Sequence, residues 1–177
     1  MDSKEFWRII EFSKKESDGD NERQSGLIEK ALSDYTPDQI VEFEKIFRHY
    51  VIEADDFRIM AAAKIIEGWV SDDSYLYFRC WLIGQGEKVF TEALKSPDSL
   101  AESVSKGTET SFEELMYVAT NAYKQRTAKD EEDETFPRDR AIASGLDYNF
   151  DAPPTKGTDW TEDQLPKSYP KLWAKFH

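Results

Sequence analysis

The sequence predicts an all-α protein, a single compact helical domain of about seven helices with an aromatic-rich C-terminal segment docked on it. Three observations carry this reading. Apolar residues recur at three- and four-residue spacing along most of the chain, and no run alternates with period two. Capping signals, a Ser, Thr or Asp with a suitable partner three residues on, stand in front of several of these stripes. One stretch, residues 70–101, holds the densest apolar run, Tyr75 to Ile83, and is broken by glycine and proline.

The first helix is expected over residues 4–16, where Phe6, Trp7, Ile9 and Ile10 share a stripe and Asp2 and Glu5 have the spacing of a reciprocal cap. Residues 17–21, with Gly19 among them, read as a loop. Leu27, Ile28, Ala31, Leu32 and Tyr35 mark a second helix. Thr36-Pro37-Asp38-Gln39 starts a third: Thr36 caps, Pro37 takes the first helical position and Gln39 reaches back. That helix turns Ile40, Phe43, Phe47, Tyr50 and Val51 inward. After a bend near Asp55-Asp56, the pattern Phe57, Met60, Ala61, Ile65, Ile66 runs on to Gly68. The run Ala61-Ala62-Ala63 allows another helix to approach closely.

Ser71 is the expected N-cap of the central helix, with Asp72 and Asp73 in its first turn and Val70 and Tyr75 as a hydrophobic staple. From Tyr75 to Ile83 almost every residue is apolar, as in a helix surrounded by others. Gly84 and Gly86 are expected to end it by supplying left-handed conformations. Arg79 is the anomaly, because a guanidinium buried there needs a carboxylate or carbonyl partner. A short helix follows over residues 87–94, then Ser96 and Pro97 begin a turn through Leu100. Residues 103–110 form a polar loop, and Ser111-Phe112-Glu113-Glu114 reads as a capping box opening a helix that buries Leu115, Met116, Val118, Ala119, Ala122 and Tyr123.

Residues 1–126 are thus read as a helical core. Residues 127–177 are read as an acidic irregular loop, with the run Asp130–Glu134, and a C-terminal wrapping segment of the same domain. In that segment Thr161 to Gln164 has capping-box spacing, Trp160 and Leu165 stand as a staple, and Tyr169, Leu172, Trp173 and Phe176 follow. Aromatics at that density favour docking over disorder.

The net charge of −13, from 23 basic and 36 acidic side chains, is dispersed along the chain. With no cluster of Lys and Arg, nucleic acid and anionic membrane surfaces are disfavoured as partners, while a basic protein is allowed. No apolar segment approaches the ~20 residues that cross a bilayer, and the start of the chain lacks a signal-peptide pattern, so the expected compartment is the cytoplasm. The single Cys80 excludes an intramolecular disulfide and lies in the apolar run as a core residue. The sequence says nothing about oligomeric state.

Chemistry-bearing residues are few. No P-loop, dinucleotide fingerprint, H-E-x-x-H or C-x-x-C occurs, so no catalytic residue is assigned and no cofactor is expected. His49 and Glu53, four apart on one helix, have a spacing that suits either two metal ligands or a hydrogen-bonded couple. Asp72 and Asp73 suit helix capping, and also a divalent cation. Tyr77 and Arg79 could form an anion-binding point, or Arg79 could fix packing by pairing with a carboxylate of a neighbouring helix.

The run S-D-D-x-x-x-Y-F-R-x-W-L-I-x-x-G-x-x-V-F-x-x-A-L-x-x-P-D-S-L-A, from Ser71 to Ala101, resembles the signature of a bacterial family catalogued as domain of unknown function 4240. Phe6-Trp7 and the Glu114-to-Tyr123 run extend the resemblance over most of residues 1–125. The chain departs from the pattern at Glu67-Gly68-Trp69, where two glycines and a small residue are expected. The resemblance implies no reaction and no ligand. The functional expectation is therefore a cytoplasmic, non-enzymatic interaction or regulatory protein that binds a basic protein partner, with toxin neutralisation among the roles that fit. The alternative is a small-ligand or divalent-metal-binding enzyme with its site around Asp72, Asp73, Tyr77 and Arg79.

Overall fold

The computed structural model describes residues 1–177 as ten α-helices and three 3-10 turns, with no strand. Seven of the α-helices fall before residue 128: α1 (Ser3–Ser17), α2 (Asn21–Leu32), α3 (Pro37–Glu53), α4 (Phe57–Glu67), α5 (Asp72–Gly84), α6 (Glu87–Lys95) and α7 (Val118–Thr127). Three short ones follow: α8 (Pro137–Ile142), α9 (Leu165–Ser168) and α10 (Pro170–Phe176). One continuous buried cluster runs through these elements, from Phe6 on α1 to Leu172 on α10. Helix α5 is its centre, with Phe78, Cys80, Leu82 and Ile83 fully enclosed. Burial pushes the Cys80 thiol up to about 12, so it is an inert core group.

Local chemistry sets most of the helix ends. The Thr36 hydroxyl accepts from the Gln39 N–H at 3.3 Å, and the Gln39 side chain accepts from the Thr36 N–H at 3.0 Å. Ser71 makes the same exchange with Ser74. At α1 only half of the expected exchange forms. Asp2 accepts from the Glu5 N–H at 2.8 Å, but the Glu5 carboxylate turns instead to Arg8 and Tyr35. The expected cap at Ser111 does not form either. The chain there enters a 3-10 turn, Glu113–Met116, before α7 begins, and Phe112 at its start is fully buried.

Phe112 also explains Gly84. This glycine is helical and not left-handed; a Cβ there would stand 2.8 Å from the Phe112 ring. The left-handed residue is Gly86, at φ 95°, which opens α6. Gly84 is small because a ring rests on the end of the central helix.

The segment after α7 is less irregular than its composition suggests. Phe136 is fully buried, Pro137 starts α8, and α8 packs against α3. With six residues α8 is too short to show a helical period. What holds the chain beyond it is a buried ion pair on α3. Arg48 donates to the Glu44 carboxylate at 2.6 Å, and both side chains are almost wholly enclosed. A second guanidinium nitrogen donates to the Leu146 carbonyl at 3.2 Å, and the group lies 4.4 Å over the Tyr148 ring. Burial pushes the Glu44 carboxyl above its ordinary range, against the pull of Arg48.

Removing one partner of such a pair leaves the other buried and unpaired. Arg48→Leu is expected to lower unfolding free energy by roughly 3–5 kcal/mol, whereas the double change Glu44→Leu/Arg48→Leu recovers most of the loss. Urea unfolding of both variants checks this.

Candidate functional site

Two polar groupings bear on a site, a buried helix corner and an exposed acidic recess. The corner is the three-residue turn between α3 and α4. From α5, the Tyr75 hydroxyl accepts from the Asp56 N–H at 3.0 Å and lies 2.9 Å from the Asp56 carbonyl and 3.1 Å from that of Ala54, either of which takes its proton. One turn further along α5, Arg79 donates to the Val51 carbonyl at 3.2 Å and stands 3.7 Å from the Asp55 carboxylate. Its guanidinium lies 4.6 Å over the Tyr75 ring, and its Nε has no hydrogen-bond partner. The C-terminal segment closes the corner from outside. The Lys156 N–H donates to the Asp55 carbonyl at 3.0 Å, the Phe57 N–H donates to the Lys156 carbonyl at 2.9 Å, and the Lys156 ammonium meets the Glu53 carbonyl.

Asp56 caps α4, accepting from the Arg58 N–H at 2.8 Å and from the Arg58 guanidinium. Burial pushes its carboxyl up, but the hydrogen bonds from Arg58 outweigh that and hold it below the usual range. Arg79 therefore meets a carboxylate of the corner, one residue before the Asp56 cap.

His49 and Glu53 border a shallow recess of about 270 Å³ beside this corner, with Asp55, Pro153, Pro154 and Lys156. No three of the His, Cys, Asp and Glu side chains come together as a metal-binding group, here or elsewhere.

Asp72 and Asp73 are exposed in the first turn of α5, behind the Ser71 cap. Tyr77 does not share a pocket with Arg79, because positions two apart on a helix face opposite ways. Its backbone carbonyl accepts from the Phe112 N–H at 3.2 Å. Burial, with the carboxylates of Glu113 and Asp73 close by, pushes its phenol up. Of the four α5 residues, Arg79 belongs to the corner, Asp73 and Tyr77 lie towards Glu113 and Tyr117, and Asp72 joins neither group.

That second direction leads to the acidic recess. The α1–α2 turn and the segment before α7 bring Asp18, Asp20, Glu22, Glu109, Glu113 and Glu114 around a volume of about 610 Å³, with no Lys, Arg or apolar residue in its lining. Asn21 ties the two sides by donating to the Ser111 carbonyl at 2.7 Å. Tyr117 donates to Glu113 at 2.8 Å, and its ring is partly exposed at the edge. Sequence reasoning missed this recess, since its carboxylates come from stretches some ninety residues apart, as the Asn21–Ser111 contact records. It also passed over Glu44 and Arg48. Both stand on the inward stripe of Ile40, Phe47 and Val51, and that placement was the available signal.

Fold and site define an all-helical protein whose buried polar groups brace helix ends and whose exposed carboxylates converge. A family model described as protein of unknown function (DUF4240) matches residues 1–125, and the chain belongs to that family. No curated protein and no solved structure matches it.

If Arg79 serves the corner, Arg79→Leu is a folding defect, expected to lower unfolding free energy by about 3 kcal/mol, the lower end for a broken buried pair. Denaturant midpoints check this, and a variant as stable as the parent that had lost a ligand or an activity would make Arg79 part of a site.

Proposed function

We propose that this is a cytoplasmic, non-enzymatic interaction protein that takes a basic segment of a protein partner in the recess between the α1–α2 turn and Glu114. The observation that carries the reading is the recess itself, six carboxylates around one volume with no cation among them. Like charges held together in the free protein repel one another, and a Lys- or Arg-bearing segment relieves that repulsion on binding. Tyr117 and Tyr77 stand beside Glu113 and offer aromatic faces to the same cations. A regulatory or toxin-neutralising role fits this mode of binding. The bacterial origin implied by the family resemblance belongs to the same reading.

Replacing the exposed Glu22, Glu109 and Glu114 together with Lys is expected to abolish partner recovery in an affinity pull-down at moderate salt, with thermal stability little changed. Exposed charges contribute little to folding. Recovery of the same partner by the reversed protein would sink the proposal. Soaking with divalent cations addresses the alternative, since a metal held by Asp72 and Asp73 with no partner recovered would favour an enzyme.

In the same reading residues 127–177 wrap the seven-helix part of a single domain. Leu165, Tyr169 and Leu172 lie in the common core, and Asp98 accepts from the N–H groups of Lys171 and Leu172. A chain truncated after Thr127 is expected to bind a hydrophobic dye and to melt lower than the full chain. Unchanged melting without dye binding would show that the tail is a separate unit.

A further inference from the structure

Two surface features outside the acidic recess match each other. The first is a groove of about 410 Å³ between α1 and α2, floored by Ile9, Phe12, Leu27 and Ala31, with Phe12 half exposed. Its rim carries Arg8 and Lys30, with Asp34 its one carboxylate. Arg8 is already paired with Glu5, but Lys30 pairs with no carboxylate of its own chain. The second feature is Phe150, 97 % exposed, with the acidic Asp151 next to it.

Phe150 does not sit on a loose end. Asp147, itself buried, accepts from the N–H groups of Asn149 and Asp151 at 2.8 and 3.3 Å. Tyr148 is buried under Arg48. The turn is held by these contacts and presents a large apolar ring to water, area that a covering surface would remove from solvent. The ring stands outside its own groove, so ring and groove are separate patches of one surface.

We propose that the α1–α2 groove receives Phe150 of a second copy of this chain, with Asp151 of that copy against Lys30. The pairing is heterologous, since each copy offers a knob at one place and a hole at another, and it joins copies head to tail. Long-range repulsion between chains of charge −13 opposes it, so association is expected at high protein concentration and at salt that screens distant charges. This inference is independent of the acidic recess, whose residues take no part.

Sedimentation of the full chain over a wide concentration range at moderate salt tests it. The native chain is expected to gain mass with concentration, and Phe150→Ser to weaken association at least about tenfold, as for an interface anchor. Filling the groove with Ala31→Glu should do the same, and Phe12→Glu serves as a second groove variant should the first fold poorly. An equal mixture of Phe150→Ser with a groove variant is expected to form dimers and nothing larger, because one intact knob meets one intact groove. The proposal is overturned if the native chain stays monomeric, if Phe150→Ser associates like the native chain, or if the mixture stays monomeric. A monomeric native chain that captures a different protein through the groove, losing it on Ala31→Glu, overturns it too and gives the groove to that partner.

Discussion

The rest of the fold depends on the corner between α3 and α4. Helix α3 leaves Glu53 with carbonyls that have no helical partner, and α4 begins at Phe57 with N–H groups that have none. The corner lies against the core, with Ala54 and Asp56 buried, so water cannot serve these groups freely. Three strangers in sequence meet the demand: Tyr75, Arg79 and Lys156. Because Tyr75 and Arg79 stand on the central helix one turn apart, the same contacts that satisfy the corner also fix the rotation of α5. That rotation decides which apolar residues face α1, α3 and α4. An arginine inside the central helix is therefore consistent with its surroundings, since its charge meets Asp55 and its donor meets a carbonyl that would otherwise be orphaned.

Much of this was legible in the sequence, and the limits are physical. The stripes on α1, α3 and α5 and the caps at Thr36 and Ser71 are local, so spacing alone reveals them. The demand for a partner at Arg79 was equally plain. The partner's identity was not, because Asp55 lies on another element and becomes near only through the corner. Gly84 shows a different limit. A glycine after an apolar run looks like a helix stop, but the ring that excludes a Cβ comes from Phe112, twenty-eight residues on. The failed cap at Ser111 has the same origin, since burying Phe112 against α5 outweighs a helix start one residue earlier. Convergence of carboxylates from distant stretches leaves no trace in either stretch alone.

The surface divides labour in a way that composition conceals. A charge of −13 spread evenly would keep the chain soluble and do little else. Around the α1–α2 turn it is concentrated without a counter-cation, while the opposite ends of the same two helices border an apolar groove with an unpaired Lys30. Two helices thus present an electrostatic face and an apolar face, and contacts made at one need not disturb the other.

The bridge from Lys156 to the corner also has a bearing on the order in which the molecule can be completed. Thr155 and Asp55, which meet there, are 100 residues apart. On a ribosome the two helices of the corner emerge long before the residue that seals them. Until Lys156 appears, the Phe57 N–H and the Glu53 and Asp55 carbonyls must be served by water, and α4 can fray from its first turn. The emerging chain is held meanwhile by its local helix pairs, and its most distant contacts close last, as loop-closure entropy requires. The nascent protein is thus a loosely latched helical body, and the segment around Lys156 is its bolt.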